Sequence, residues 1–248
     1  MTSALNRTSG SSKTLPLIAV DINVKETINL KNKFVKVIKL LIILTILSNV
    51  TKGQTYTYDD IFKTNKIYFY GYDFTDFKVI EDKEIGNEHT FIFGVIQFMN
   101  DNRKEKLFEK MLKKDTVIFD QNTVNDLNSK IPKYTIIASG KDIMGHSVSK
   151  DSLQNIVNRY NTTGKSGIGF VEIVECFYKP KKRTSVWFVF FDISSKKILD
   201  AYENINPDAD SWHGFSEYWS VGLSSAMGLY VSDHYLQQRK AYNKKNNK

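Results

Sequence analysis

The sequence predicts an α+β fold: a mixed five- to six-stranded sheet that ends in an antiparallel three-stranded meander and is packed by helices, including a long C-terminal helix. Three observations predict it. Residues 169–178, 185–193 and 197–205 are strand-like runs joined by Lys179-Pro180-Lys181-Lys182-Arg183 and Ser194-Ser195-Lys196, and short polar links of this kind connect consecutive antiparallel strands. In the middle run both parities are apolar, Val186, Phe188 and Phe190 on one and Trp187, Val189 and Phe191 on the other, which predicts a central strand covered on both faces. Trp212, Phe215, Trp219, Gly222, Ala226 and Leu229 then recur at steps of three and four, one apolar stripe on a helix from about 212 to 242.

The earlier elements follow from the same periodicities. Residues 66–73 are aromatic and β-branched, a strand that exits through Asp73-Phe74-Thr75-Asp76. From 87 to 114, Phe91, Val95, Phe98, Met99, Leu107, Phe108, Met111 and Leu112 recur at helical spacing, and the polar stretch 100–106 is placed to divide that helix in two. A short strand is expected at 116–119, a short helix at 122–130, a second short strand at 134–138, and a helix through Tyr160 that opens on Ser149 as its N-cap. Pro207-Asp208-Ala209-Asp210 stops the sheet and caps the last helix, and the Lys- and Asn-rich end, 243–248, is expected to be a disordered basic tail. No repeat or long linker interrupts 54–242, which reads as a single α+β domain.

Residues 31–53 have the order of a secretory signal: Lys31, Lys33, Lys36 and Lys39, then an apolar run from Leu40 to Leu47, then small and polar residues to Gly53. The run is short against the ~20 residues that a membrane-spanning helix needs, so a cleaved signal is expected, with Thr51 and Gly53 at the cleavage positions and Gln54 as the new N-terminus. Residues 1–30 are a polar leader ahead of that signal. They are expected to be non-native or unstructured, with translation starting near Leu30 or Val35.

The net charge of +8 is unevenly placed: residues 1–53 hold eight Lys and Arg against two acids, and five more bases lie in 239–248. The remainder, 54–238, is mildly acidic, which argues against a broad nucleic-acid surface. Cys176 is the only cysteine, so no internal disulfide or multi-cysteine metal site can form, and within a strand it reads as a small apolar residue.

Several constellations bear on chemistry. Thr163-Gly164-Lys165-Ser166 has the last residues of a phosphate-binding loop, but Arg159 stands where the first glycine belongs and the segment leads from helix into strand, so a helix-to-strand turn is expected. Asp208, Asp210 and His213 fall within six residues and could offer a cation two carboxylates and an imidazole, yet acids at a helix N-terminus are expected as caps. His89, His146 and His234 have no metal-ligand spacing. Asp73, Asp76, Glu172 and Glu175 could meet in space as paired acids. The aromatic residues fall mainly in the strand runs and the helix stripe, so core packing is expected of them, and Lys179, Lys181, Lys182 and Arg183 form a solvated hairpin tip.

From Trp187 to Leu199, with the amphipathic helix at 215–230, the chain resembles small exported bacterial domains of unknown function and is distantly similar to the α/β modules of curli-secretion and Tol amino-terminal-type envelope proteins. In that group a strand ends in an Asp, a Lys-rich turn follows, and a further strand leads to a last helix bearing Trp. The resemblance covers about 165–235 and implies no catalytic residue. The expected protein is therefore periplasmic or secreted, has no stable membrane span once the signal is removed, uses no cofactor, and binds an envelope protein or small ligand without catalysis. The alternative is a metal-assisted hydrolase using Asp208, Asp210 and His213.

Overall fold

A strand with apolar side chains on both parities has no face to leave in water, so it must lie inside a sheet covered twice. The computed structural model, which describes residues 34–36, 38, 55–80, 88–132, 135–138, 148–206 and 215–246, builds the protein around such a strand. Residues 34–36 and 38 are helical and belong to a separate unit, 1–52; the folded domain is the unit Gly53–Lys248. Its strands are β1 (Lys66–Asp73), β2 (Lys78–Ile80), β3 (Thr116–Phe119), β4 (Ile137–Ala138), β5 (Ile168–Tyr178), β6 (Arg183–Asp192) and β7 (Ile198–Asn206). Its helices are α1 (Asp60–Lys63), α2 (Glu88–Asn102), α3 (Glu105–Leu112), α4 (Asn122–Asn128), α5 (Lys150–Asn158), α6 (Phe215–Tyr230) and α7 (Leu236–Asn246), the last two joined by a π-helical turn at Val231–Tyr235.

The expected meander is present. β5, β6 and β7 pair antiparallel in sequence, with Val171 opposite Val189 and Val189 opposite Ala201. The other edge of β5 is parallel and shared by two strands in series: β1 runs beside Gly169–Ile173, and β2 beside Cys176–Tyr178. β3 flanks β1 and β4 flanks β2, both parallel. Among the described residues the seven-stranded sheet is therefore at most five strands across, and β2, three residues long, is an element the sequence pattern does not predict.

Buried side chains form two clusters, one on each face of the sheet. α1, α2, α3 and α6 cover Phe170, Val174, Val186, Phe188 and Phe190, while α4 and α5 cover Val171, Ile173, Trp187, Val189 and Phe191. Every residue of β6 from Thr184 to Asp192 is buried. On the first face the helix meets the sheet ring on ring: Trp219 stacks on Phe177 with centroids 4.4 Å apart, and Tyr230 stacks on Phe188 at 4.4 Å. The inner stripe of α6 is Trp219, Leu223, Ala226, Met227 and Tyr230, and Leu229, expected inside, is 38% exposed. One step further along, Tyr230 takes the inward place because its ring has Phe188 to stack on. On the second face Phe191 lies directly over Gly169, where a Cβ would run into its ring. The helix continues through Asn246, past the Asn243 at which fraying was expected, and Lys245 Nζ reaches Asp59 Oδ2 at 2.9 Å.

The earlier helices also match their patterns. α2 and α3 divide at Arg103 and Lys104, and Ser152 N donates to Ser149 Oγ at 3.2 Å, the expected N-cap of α5. Lys114 is 5% exposed and donates from Nζ to the carbonyls of Ile61 and Thr64 at the end of α1. Its ammonium thus serves the carbonyls that a helix C-terminus leaves unpaired.

Two outcomes are expected. Phe188 and Phe191 are both fully buried and belong to opposite faces, so Phe188→Asp and Phe191→Asp should each abolish soluble expression, since an unpaired buried charge costs several kcal/mol against a domain stability of about 5–15 kcal/mol. One soluble, well-folded variant of the pair would show an open face. Burial, reinforced by Arg239, pushes the Lys114 amine down to about 7 from 10.5. Between those values the unfolded chain holds a proton that the folded chain has released, so stability rises with pH across that window, by up to about 1.4 kcal/mol per pH unit. Urea unfolding of wild type and Lys114→Met from pH 6 to 10 should show this rise in the wild type alone.

Candidate functional site

One edge of β5 is interrupted where β1 stops at Asp73 and β2 resumes at Lys78. Phe74 and Phe77 are both buried and pack edge to face at 5.1 Å, and Phe77 N donates to Phe74 O at 3.1 Å. The two rings stay in the core while Thr75 and Asp76 between them turn away from it. Asn128, 1% exposed, seals the end of β1: its Oδ1 accepts from Phe74 N at 2.9 Å and its Nδ2 donates to Tyr72 O at 2.8 Å. A side-chain amide thus does what a neighbouring strand would do.

The turn residues are tied to the end of α5. The Asp73 carboxylate is buried; Oδ1 accepts from Thr75 N at 2.8 Å and Thr75 Oγ1 at 2.6 Å, and Oδ2 accepts from Tyr160 Oη at 2.7 Å. Burial, together with this neighbouring carboxylate, holds the Tyr160 phenol well above its ordinary range. Arg159 Nη2 donates to Thr75 Oγ1 and to Asp76 Oδ2, each at 2.8 Å. Between this network, the residues Ile131, Pro132, Thr135 and Ile136, and α5 lies a cavity of about 560 Å³. Ser152, Asn155, Ile156 and Arg159 line one wall, spaced as one face of a helix. Phe77, Ile131 and Ile136 come from one core cluster and Val148 and Ile156 from the other, so the cavity lies at the seam where the two cores meet. Lys78 Nζ, on its rim, donates to Thr135 O.

Of the residues singled out by sequence, those that the structure describes are dispersed. Asp208, Asp210 and His213 lie outside the described residues, as do His146 and the side chain of His89. Among the described residues no three His, Cys, Asp or Glu side chains group to hold a metal, and no helix is long and apolar enough to cross a membrane. His234 Nε2 lies 2.8 Å from Asp200 Oδ2 and the imidazole stacks on Tyr202. Burial pushes the Cys176 thiol up to about 12, against the thiolate that a nucleophile needs. Residues 163–166 form the expected turn, with Gly164 at φ 73° and Lys165 Nζ on Asp120. The hairpin tip is a 3₁₀ turn in which Lys179 lies over the Tyr218 ring.

The four acids do not converge. Asp73 and Asp76 join the network above, whereas Glu172 faces the other core and pairs with Arg103 at 2.5 Å, both side chains buried. Burial pushes the Glu172 carboxyl up to about 7 against the opposing pull of Arg103. Glu175 accepts from Val148 N at 2.7 Å and from Ser185 Oγ. Asn128, Thr75 and Arg159 carry no local sequence signal of these roles, for each acts through a partner distant in sequence.

Replacing Asn128 by Leu would leave the Phe74 N–H and the Tyr72 carbonyl facing an apolar side chain. A loss of about 2–5 kcal/mol is expected in urea unfolding. By contrast Lys130→Ala, which breaks an ion pair whose side chains are 65% and 61% exposed, should change stability by less than about 0.5 kcal/mol. Comparison with models of known families, with curated proteins and with solved structures finds no match for this chain.

Proposed function

We propose that the domain from Gln54 onward is exported and binds a small ligand, without catalysis, in the cavity beside the β1–β2 break. The observation that carries the reading is the cavity itself. Its volume of about 560 Å³ falls within the ~300–1,000 Å³ of small-ligand sites, and an apolar floor with a few convergent polar groups is their usual lining. Both oxygens of Asp73 and both of Glu175 already accept hydrogen bonds from the fold, which favours binding over acid–base chemistry by these groups.

Export is supported by the basic, apolar and small-residue order of 31–53. The compact unit begins at Gly53, and Tyr56 N is already held by Asp192 Oδ2 at 3.1 Å, which agrees with a mature chain that starts at Gln54.

Mass measurement of the protein recovered from its native host should give a chain that starts at Gln54; an intact 1–53 in the mature material would refute cleavage. Ligand binding is tested by a fragment screen followed by amide chemical shifts. Shift changes should gather at Thr75, Ile136, Ser152 and Ile156 and be lost in Asn155→Trp, which places a bulky ring at an exposed position of the cavity wall. Fragments that bind elsewhere, or none that bind, would overturn the reading.

A further inference from the structure

We infer that the ligand is an apolar molecule carrying one carboxylate, and that Arg159 receives that carboxylate. The inference rests on the cavity being the ligand site and goes on to name the chemistry that fits it.

A guanidinium presents five N–H donors in a rigid fork. Arg159 uses one nitrogen, Nη2, for Thr75 Oγ1 and Asp76 Oδ2, and among the described residues Nη1 and Nε meet no acceptor. The side chain is 41% exposed on the wall of the cavity. Its orientation is fixed by the two anchors while part of the fork stays open, so little freedom is lost when an anion docks on it. Carboxylate is the planar acceptor that matches such a fork.

Two cations, Arg159 and Lys78, and one carboxylate, Asp76, line the cavity, and the nearby Asp73 carboxylate lies behind Thr75, already satisfied by Thr75 and Tyr160. A cationic ligand would have Asp76 to pair with, and that carboxylate is already matched by Arg159. The floor of Ile136, Val148 and Ile156 calls for an apolar body behind the acid.

The test uses three probes of one shape and different charge: phenylacetate, phenylacetamide and phenethylamine, each titrated into the full chain and followed by amide chemical shifts. Phenylacetate should bind at the cavity about tenfold more tightly than the amide, with the amine weakest. Arg159→Gln should bring the acid down to the amide's affinity. Asp76→Asn removes the competing carboxylate and should tighten phenylacetate binding, a gain that a merely damaged site would not give. If the amide binds as well as the acid, or the amine better, the carboxylate assignment falls while the cavity remains a ligand site. If none of the three shifts cavity resonances at up to about 10 mM, both readings fall.

Discussion

The ladder between β5 and β6 has to be dry on both faces, and the rest of the domain is arranged to make it so. With Phe188 and Phe190 turned to one side and Val189 and Phe191 to the other, neither helix layer is dispensable. An unpaired polar group in or beside that ladder costs several kcal/mol. Glu172 Oε2, Thr184 Oγ1 and Trp187 Nε1 meet no hydrogen-bond partner among the described residues, yet each buried acid has at least one, drawn from elsewhere in the chain. Glu172 takes Arg103 from the junction of α2 and α3; Glu175 takes the Val148 amide ahead of α5; Asp192 takes the Tyr56 amide at the start of the domain; Asp73 takes Tyr160 after α5. A buried pair of this kind adds little net stability, but a misplaced partner would strand a charge. In this domain the acids therefore dictate where each element docks more than how firmly it is held.

The cavity follows from the same frame. β5 is 11 residues long and β1 is 8, and a register shift at Gly71, whose φ is +101°, uses up one of those eight. β1 therefore ends beside the middle of β5, and a second strand has to complete the edge. The turn between them keeps Phe74 and Phe77 in the core, which forces Thr75 and Asp76 outward. Polar groups thus reach the seam between the two cores for a steric reason, and Arg159 is there because those groups have to be matched.

The sheet was largely legible because its strands are set by local pattern. The meander, the β1 strand with its exit at Asp73, the divided helix at 88–112 and the Ser149 cap all follow from composition and spacing within a few residues. β2 escaped because three residues carry no periodicity, and its strand character comes from Cys176–Tyr178 opposite. The candidate site was less legible still. Asn128 reads as an ordinary polar residue at the end of a short helix, and its meaning appears when the chain brings it to Tyr72 and Phe74, more than fifty residues away in sequence. Arg159 lies more than eighty residues from Thr75 and Asp76. Spacing rules describe neighbours along a helix or strand, and these contacts are products of the assembled layers.

The last helix shows how a tertiary demand overrides a local period. Tyr230 and Tyr235 are both buried, yet residues five apart on a regular α-helix point about 140° away from each other. The π turn at Val231–Tyr235 removes the conflict, since a wider turn brings residues five apart toward the same face. Tyr235 can then donate to Leu112 O at 2.7 Å and pack on Phe62, with ring centroids 5.6 Å apart, while Tyr230 keeps its stack on Phe188. A straight helix would have to give up one tyrosine or the other. With the extra residue, α6 follows the sheet and α7 turns to hold α1, where Tyr242 meets Phe62 at 5.7 Å. The two ends of the domain are thus fastened to each other through a helix whose inward stripe changes phase once, at the point where it passes from one task to the next.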